Sequence, residues 1–440
     1  MNDTRKKTVA VQTVGCRLNQ YETERMAAAL YPYGFRRVRM GEQANLCIIN
    51  TCTVTHRADS SSRHLVQKAV RENPDARIVV AGCYVNSDAE TVAALGPVDV
   101  LISNEQKPHL VEILSEQFPD LFEPQSISEQ AVTPTVFDRF NRTWLKISDG
   151  CNQRCAYCIL PMVRGQLLNR PAVEIIDEVR SLMTMGFEEI VLTGLNIGYY
   201  RDRKVLDPTK NLAALCTRIM TETDLPRLRL SSIEPQTVRD ELLRVIADSG
   251  DRICRHMHLP MQSGSTRLLR IMRRPYDQAT YLKRITDARA VRSNTIIGAD
   301  IIVGFPGETD EDFRQSVEVA ESGQIDYLHV FSYSDRRGTM ASELGDKVKP
   351  DVIKERNAIL SAISRKLKAE ACRRQVGETL GVISEHVKPG RNELYGISDN
   401  YLRVKLPVDF NGGRHIHKVR ITTAAPNHVS GEILGPGTGE

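Results

Sequence analysis

The sequence predicts an α/β protein in three parts: an N-terminal parallel-sheet domain, a central partial (β/α)6 barrel and a C-terminal small antiparallel β-barrel. In the first two parts, short β-branched runs alternate with helix-like stretches, and this alternation predicts parallel sheets. Beyond Gly377 the pattern changes to short alternating runs separated by Gly and Asn, which is typical of a compact antiparallel barrel. We place the domain boundaries at 1–125, 137–370 and 371–438.

The composition limits the compartment and the chemistry. The chain of 440 residues begins with MNDTRKKTVA, which lacks an apolar signal segment, and it contains no apolar run of membrane-spanning length. We therefore expect a cytoplasmic protein with no membrane partner, whose ten cysteines are reduced and, where clustered, serve as metal ligands or reactive thiols. The net charge of +4 does not by itself indicate a nucleic-acid partner. The chain has no P-loop sequence and no Ser-His-Asp arrangement, which argues against nucleotide triphosphate chemistry and nucleophilic hydrolysis.

The N-terminal domain is predicted to be Rossmann-like or flavodoxin-like, with a cysteine after each of three strands. The predicted strands are Thr8 to Thr13, Leu46 to Asn50 and Arg77 to Ala81, each followed by a helix-like stretch. Cys16, Cys52 and Cys83 lie within three residues of the strand ends. Because ligand sites in such sheets lie beyond the carboxyl ends of the strands, we predict that these thiols meet at one edge and hold a cluster. The alternative is three unrelated buried cysteines.

The central domain begins with a strand candidate, Thr143 to Ile147, and then the run DGCNQRCAYCILP. Its C-x3-C-x2-C spacing places Cys151, Cys155 and Cys158 on one tight loop. Three thiolates can hold three irons of a [4Fe-4S] cube and leave the fourth iron open for a substrate or cofactor. A zinc site usually takes four ligands, and the next histidine downstream is as far away as His256.

The strand candidates of the central domain fit an open barrel, whose chemistry lies at the carboxyl ends of its strands. They are Thr143 to Ile147, Glu189 to Thr193, Arg227 to Ser232, His256 to Leu259, Thr295 to Gly304 and Asp326 to Tyr333. The turns TGLNIGYY, SSIEP, HLPMQSGS and GFPGET follow the second to fifth strands. Glycines there let backbone amides approach a ligand, and helix N-termini favour anionic groups. Glu234 and Asp300 are candidate inward carboxylates, whereas we expect His256 and His258 to be structural.

The remaining cysteines lack partner spacing, and we predict that they are core residues. They are Cys47, Cys216, Cys254 and Cys372.

The C-terminal part carries basic and aromatic residues that suit RNA. A basic, helix-forming segment, Pro350 to Arg374, leads into the predicted antiparallel barrel. The residues that we expect to follow an RNA backbone are Lys388, Arg391, Arg403, Lys405, Arg414, Lys418 and Arg420, with Tyr395 and Tyr401 as stacking candidates. The alternative is an ordinary solvated barrel surface.

Together these motifs resemble the methylthiotransferase branch of the radical S-adenosylmethionine (SAM) enzymes. Members have an N-terminal three-cysteine domain, a central radical SAM barrel of TIM-like type and a C-terminal TRAM domain, and the resemblance covers nearly the whole chain. The motifs VGCRLNQYETE, INTCTVTHRAD, AGCYVN and SDGCNQRCAYCILP are most similar to members that act on N6-threonylcarbamoyladenosine (t6A) of tRNA.

The resemblance implies two [4Fe-4S] clusters and SAM as cofactors. One SAM methylates a sulfur bound at the cluster of Cys16, Cys52 and Cys83, and a second SAM is cleaved at the cluster of Cys151, Cys155 and Cys158. The resulting radical activates C2 of the adenine, a carbon that acid-base and nucleophilic catalysis do not reach. The implied SAM contacts are Tyr157, Thr193, Gly194, Glu234 and the turn from Gly304 to Gly307. Arg164 and Arg274 are substrate or SAM contacts, or alternatively surface ion pairs.

The implied partners are a t6A-containing, ANN-decoding tRNA anticodon arm, a low-potential electron donor such as flavodoxin or ferredoxin, and an unidentified sulfur donor. We expect a monomer. Within the family the alternative substrates are isopentenyladenosine tRNA and a ribosomal protein. From another class, the alternative is a non-catalytic iron-sulfur protein that binds RNA or senses redox state.

Overall fold

The computed structural model describes residues 7–122, 140–202, 210–385 and 393–436. Within these ranges the predicted fold class is confirmed: a parallel sheet, an open β/α barrel and a closed antiparallel barrel follow one another along the chain. The proposed boundaries at 125, 137 and 438 lie outside the described residues, as do Lys388 and Arg391. No helix of the described part is long and apolar enough to cross a membrane.

The N-terminal sheet has five parallel strands in the order β2-β1-β3-β4-β5. The strands are β1 (Thr8–Thr13), β2 (Arg36–Val38), β3 (Leu46–Thr51), β4 (Arg77–Gly82) and β5 (Val100–Ile102), and the helices are α1 (Arg17–Leu30), α2 (His56–Glu72), α3 (Cys83–Ser87), α4 (Ala89–Ala93) and α5 (Leu110–Gln117). This is the flavodoxin-like order, whose switch point lies between β1 and β3. Strand β3 is buried at every position because helices cover both faces: Ile48 packs on one side and Ile49 on the other.

The central barrel has six parallel strands in two hydrogen-bonded groups, β6-β9-β10 and β11-β12-β13. The six barrel strands are β6 (Thr143–Lys146), β9 (Glu189–Thr193), β10 (Arg227–Leu230), β11 (His256–His258), β12 (Ile296–Val303) and β13 (Tyr327–Ser332). Two further short strands, β7 (Ser148–Asp149) and β8 (Leu168–Asn169), pair with each other in a separate antiparallel sheet. Bridges from Leu228 to Ile253 and from Ser232 to His258 join the two groups. β6 and β13 are therefore the free edges of an open barrel.

Helices cover the outside of the central barrel. They are α6 (Leu160–Arg164), α7 (Ala172–Thr184), α8 (Leu212–Glu222), α9 (Asp240–Asp248), α10 (Thr266–Ile271), α11 (Gln278–Ala290), α12 (Asp310–Glu321) and α13 (Pro350–Arg373). In α7, Ile175, Val179 and Leu182 recur at helical spacing and are buried in the main hydrophobic core. A capping box of Thr309 and Asp312 begins α12 directly after the GFPGET turn.

The C-terminal barrel is closed, in the order β14-β15-β16-β18-β17. Its strands are β14 (Thr379–Ser384), β15 (Leu394–Ser398), β16 (Arg403–Leu406), β17 (His417–Ala424) and β18 (Val429–Pro436). Closure removes sheet edges, and a small apolar core that includes Val382, Val404 and Val419 fills the interior.

The C-terminal barrel covers the amino-terminal end of the central barrel. Arg227 Nη1 donates to the Gly381 carbonyl at 2.7 Å and Arg229 Nη2 to the Ser398 carbonyl at 2.8 Å. Both guanidiniums also pair with the fully buried Glu189, at 2.5 and 2.8 Å. Burial raises the pKa of Glu189, but Arg227 and Arg229 outweigh it and keep that pKa well below its usual range. Because unpaired buried charges are costly, this group fixes how the two barrels meet.

The N-terminal domain spans the open seam of the central barrel. At the β6 side, the Arg17 guanidinium of α1 lies 5.0 Å from the Trp144 ring centroid. At the β13 side, Arg336 donates to Asp59 Oδ2 at 2.6 Å and to Thr53 Oγ1 at 2.7 Å. The segments that carry Cys16 and Cys52 are thereby attached to opposite edges of the barrel.

Candidate cluster and cofactor site

The core triplet, Cys151, Cys155 and Cys158, lies on an irregular loop between β7 and α6. Backbone hydrogen bonds fix this loop, since Cys151 N donates to the Gly165 carbonyl at 3.1 Å and Ala156 N to the Met272 carbonyl at 3.0 Å. Gly150 precedes the loop with a φ of +66°, and a Cβ there would lie 1.9 Å from the Gln166 carbonyl oxygen. Only glycine fits that position.

Each sulfur of the core triplet has a defined setting. Arg274 Nη1 donates to Cys155 Sγ at 3.1 Å, and Gln153 N donates to Cys151 Sγ at 3.4 Å. Burial raises the pKa of Cys158 to about 12, so without metal this thiol is protonated at neutral pH. Metal binding at the loop therefore has to displace a proton.

The N-terminal triplet, Cys16, Cys52 and Cys83, meets at the carboxyl edge of the N-terminal sheet. Cys16 caps the start of α1, Cys52 follows β3 and Cys83 is the first residue of α3. Gly15 lies against Cys52, because a Cβ on Gly15 would be 2.8 Å from Cys52 Sγ. Cys16 is exposed, whereas Cys52 and Cys83 are buried.

The two triplets are neighbours across the domain interface. Cys83 packs against Ile159 and Val163, on the helix that directly follows the core triplet. Arg164 Nε donates to Cys83 Sγ at 3.2 Å, and Asn104 Nδ2 donates to the same sulfur at 3.5 Å.

The sulfur spacing bears on which group the triplets hold. Among the described residues, only His258, Asp300 and His329 bring three potential ligand atoms within 4.8 Å of one another. At least one pair of sulfurs in each triplet is therefore more than 4.8 Å apart, whereas a tetrahedral zinc with Zn–S bonds of 2.3 Å requires about 3.8 Å. The N–H donors to sulfur are of the kind that tunes the cysteine ligands of an iron-sulfur cluster.

Four of the expected SAM contacts lie near the core triplet. Tyr157 is half-buried, its ring 6.5 Å from that of Phe305, and its hydroxyl accepts a hydrogen bond from Arg274 at 3.4 Å. Arg274 also pairs with Glu234. Thr193 is buried at the carboxyl end of β9, and a Cβ on Gly194 would lie 2.5 Å from Ser148 Oγ. Gly194 thus allows close packing of β9 on the strand before the cysteine loop.

The amides of the Gly304–Gly307 turn have partners within the protein. Gly304 N donates to Glu308 Oε2 at 2.7 Å and Gly307 N to the Asp346 carbonyl at 2.9 Å. These two amides therefore do not point at a ligand as free donors, although the space beside the Gly307 Cα is open. A SAM contact at this turn would use other atoms than those two N–H groups.

Arg164 and Arg274, expected as substrate or SAM contacts or alternatively as surface ion pairs, are buried. Their side chains are 1% and 2% exposed, and each donates to a sulfur of a different triplet. Sequence reasoning missed Asn104 and Lys107, which follow β5 at the edge where the N-terminal triplet lies. The short apolar run Val100–Ile102, which forms β5, was the sequence signal that could have placed both residues at this edge of the sheet.

The inward face of the barrel below the core triplet is polar. His258 Nε2 lies 3.0 Å from Asp300 Oδ1, and the His258 and His329 ring centroids are 5.4 Å apart. His256 lies one step nearer the C-terminal barrel, 2.8 Å from the Tyr327 hydroxyl and stacked on Tyr401 at 4.4 Å. His256 is thus a structural residue, as expected.

The structure corrects two RNA-binding predictions. Tyr401 is not a stacking platform at the surface, because it packs inside the interface between the barrels on His256 and Arg229. Arg414 covers the Phe187 ring at 4.0 Å and donates to the Met185 carbonyl at 2.6 Å, so it binds the central domain. Tyr395 stays on the outer side of the C-terminal barrel, with Arg403 3.8 Å from its ring centroid.

The remaining cysteines are buried core residues, as expected. They are Cys47, Cys216, Cys254 and Cys372.

Comparison with known proteins gives two family matches. Residues 8–103 match the Uncharacterized protein family UPF0004, and residues 145–320 match the Radical SAM superfamily. The chain is 34% identical to the threonylcarbamoyladenosine tRNA methylthiotransferase MtaB of Bacillus subtilis, over 97% of this chain and 96% of the relative. It is 32% identical to the tRNA-2-methylthio-N(6)-dimethylallyladenosine synthase of Mycobacterium bovis, over 96% of this chain and 86% of the relative.

Among solved structures, the chain is similar to the radical SAM methyltransferase TsrM from Kitasatospora setae. The TM-score is 0.56 at 14% identity, with 77% of each chain covered. At this identity the likeness concerns the fold alone.

Proposed function

The chain belongs to the methylthiotransferases of the radical SAM superfamily, and we propose that it transfers a methylthio group to C2 of t6A, next to the anticodon of tRNA. The full-length similarity to a threonylcarbamoyladenosine tRNA methylthiotransferase carries the choice of substrate. The direct packing of Cys83 on the helix that follows the core triplet supports the chemistry. It brings a sulfur-carrying site close to the site where a radical is generated.

We assign the core triplet to one [4Fe-4S] cluster and the N-terminal triplet to a second. When bound, the clusters and SAM supply the reducing electron, the 5′-deoxyadenosyl radical, the sulfur and the methyl group. The protein's part is to hold the ligands and orient the reactants. Arg274 fixes Cys155, Tyr157 and Glu234 relative to one another through its contacts with all three.

The inward face of the barrel below the core triplet carries polar side chains that can contact the substrate base. Ser232 forms a β-bridge with His258, and Glu234 follows Ser232 by two residues toward the carboxyl ends of the strands. At about 3.3 Å per residue, Glu234 is thus about 7 Å nearer the core triplet than His258. His258, Asp300 and His329 line this part of the barrel. Hydrogen-bonding groups at this depth can orient an adenine with a polar N6 substituent beneath the SAM site.

We assign the initial contact with tRNA to the outer side of the C-terminal barrel. The aromatic and basic group there consists of Tyr395, Arg403, Lys405 and His428, and Lys418 and Arg420 are exposed on β17. Aromatic rings and Arg planes stack on unpaired bases, and the cations follow the phosphates. A tRNA substrate places the reaction in the cytoplasm. We further propose that the chain acts as a monomer with an external sulfur donor and a low-potential donor such as flavodoxin or ferredoxin.

Mass spectrometry of tRNA nucleosides tests the proposal. The reconstituted protein is incubated anaerobically with SAM, a reductant, sulfide and t6A-containing tRNA, in parallel with isopentenyladenosine tRNA. We expect the methylthio derivative of t6A, and its complete loss in Cys151→Ala and Cys52→Ala. Cys47→Ala is the matched control, because Cys47 is a buried core residue of β3, and it should retain the product.

The other outcomes separate the alternatives. Modification of isopentenyladenosine tRNA instead of t6A would move the assignment to the other branch of the family. Release of 5′-deoxyadenosine without modification of either tRNA would point to a different substrate, such as a ribosomal protein. A fully iron-loaded protein that cleaves no SAM would favour the sensor class.

A further inference from the structure

Arg164 has an unusual position between the two triplets. It is the last residue of α6, six residues after Cys158, and its side chain is 1% exposed. Its Nε donates to Cys83 Sγ at 3.2 Å, Nη1 to Glu22 at 2.6 Å and to Asp149 at 3.1 Å, and Nη2 to Glu22 at 3.0 Å and to Asn19. The guanidinium has five N–H donors, and these contacts use all of them. The group is therefore held in one orientation, with Nε–H fixed on the sulfur.

The charges around Arg164 leave a cationic excess near the N-terminal triplet. Lys107 and Lys146 contact Glu22 at 2.5 and 3.4 Å, and Lys146 also contacts Asp149 at 3.1 Å. Three cations thus share two carboxylates in a buried or half-buried group. The core triplet differs, since its buried Arg274 is paired with the single carboxylate of Glu234.

We propose that Arg164 sets the reduction potential of the cluster held by Cys16, Cys52 and Cys83, through its Nε–H bond to the Cys83 sulfur. Hydrogen bonds to ligating sulfurs and nearby charge are main determinants of cluster potentials, because they stabilise the more negative, reduced state. Arg164 is accordingly a positioning and tuning residue, whose five N–H donors all have partners within the protein. The inference rests on the proposed assignment of the N-terminal triplet as a cluster site.

The position of Arg164 also ties this tuning to the core triplet. Its helix starts two residues after Cys158, and Cys151 N donates to the carbonyl of Gly165, the residue after Arg164. The backbone of the core loop therefore helps to hold the guanidinium that donates to Cys83.

A redox titration monitored by electron paramagnetic resonance tests the inference. The full-length chain with Cys151, Cys155 and Cys158 replaced by Ala carries only the N-terminal cluster and serves as the parent. We expect Arg164→Gln to shift the midpoint potential to a more negative value. Arg164→Lys keeps the charge but not the aligned Nε–H, so its shift should be smaller. Arg37→Gln, which removes a half-buried Arg of the N-terminal domain that pairs with Glu24, is the matched control and should leave the potential unchanged.

Iron content and thermal unfolding are measured for every variant. If Arg164→Gln and Arg164→Lys fail to fold or to retain iron, Asn104→Ala replaces them as the test variant. It removes the weaker donor to Cys83 and should shift the midpoint potential in the same direction by a smaller amount. An unchanged potential in iron-loaded Arg164→Gln, or in Asn104→Ala when it decides, would overturn the inference. A parent protein that binds no cluster would overturn both the inference and the assignment of the N-terminal triplet as a cluster site. Normal iron content with an unchanged potential in the variants would overturn the inference alone and leave the proposed function intact.

Discussion

At the residue scale, Gly15 shows how closely the backbone approaches the N-terminal triplet. Its φ is +103°, a conformation that L side chains rarely adopt, and a Cβ there would lie 2.6 Å from Cys52 Cβ. We expect Gly15→Ala to displace Cys52 and abolish the N-terminal cluster, so that the iron content falls by about half. SAM cleavage should persist because the core triplet is untouched.

Iron and sulfide analysis with a SAM cleavage assay measures both effects. Gly250→Ala is the control: Gly250 also has a positive φ, of +59°, but nothing lies within 4 Å of its Cβ position. Gly250→Ala therefore introduces a strained backbone conformation, as Gly15→Ala does, but no steric clash with a neighbouring side chain. Full iron loading of Gly15→Ala would contradict the prediction.

The cysteines were predictable from sequence, whereas the partners of their sulfurs were not. The core spacing is local, and the N-terminal cysteines each follow a recognisable strand, so the parallel sheet brings them together. Arg164 contacts Cys83 from 81 positions away in the chain, across a domain interface. Sequence patterning shows which residues share an element, but it does not show how two domains dock.

At the element scale, the C-terminal barrel presents two tyrosines with opposite roles. Tyr395 lies on β15 beside Arg403, while Tyr401 lies in the next turn, with a φ of +69°, and packs on His256. We expect Tyr395→Ala to weaken tRNA binding by roughly tenfold, within the 1 to 3 kcal/mol typical of one base–aromatic stack, and to leave thermal stability unchanged. Tyr401→Ala should lower the unfolding midpoint because the interface loses its central ring.

Filter binding of tRNA and thermal unfolding of both variants provide the measurement, and each variant is the control for the other. Unchanged tRNA affinity in Tyr395→Ala would remove the C-terminal barrel from the proposed RNA contact. Unchanged unfolding of Tyr401→Ala would show that this ring does not hold the two barrels together.

Strands inside the sheets were predicted closely, and the short edge strands of the N-terminal sheet were not. Glu189–Thr193 and Thr8–Thr13 match their predicted bounds, because buried strands are continuous apolar runs. The three-residue edge strands β2 and β5 were not recognised, since so few residues show no alternation. Cys83 follows β4 as expected and is already the first residue of α3, because Gly82 takes a positive φ that turns the chain there.

At the scale of the whole molecule, the three domains meet around Tyr401. Its ring lies against His256 and within 5.2 Å of Arg229 in the central barrel, and Arg17 of the N-terminal domain is close enough to lower the pKa of its hydroxyl. Arg17 follows Cys16 directly in the chain. Burial raises the pKa of Tyr401, but Arg142, Arg17 and Arg229 outweigh it and lower that pKa overall. The N-terminal triplet, the central barrel and the C-terminal barrel are thereby connected through one side chain.

This junction predicts a pH-dependent stability. Burial, and next the nearby Arg229 and His258, lower the pKa of His256 well below its usual value, so the folded protein holds it neutral between Tyr327 and Tyr401. The unfolded chain takes up a proton at His256 below about pH 6.5. The stabilisation is therefore complete above that pH and is lost as the pH falls toward the folded pKa.

Unfolding midpoints of wild type and His256→Gln at pH 7.5 and pH 5.5 test this linkage. The variant is less stable at pH 7.5, because it loses the stack on Tyr401, but it should lose less between the two pH values than wild type. His329 and His428 also have lowered pKa values, through burial, and they contribute a loss that both proteins share. An equal fall of the unfolding midpoint in wild type and His256→Gln would show that protonation of His256 in the unfolded chain does not reduce the stability of the protein at acid pH.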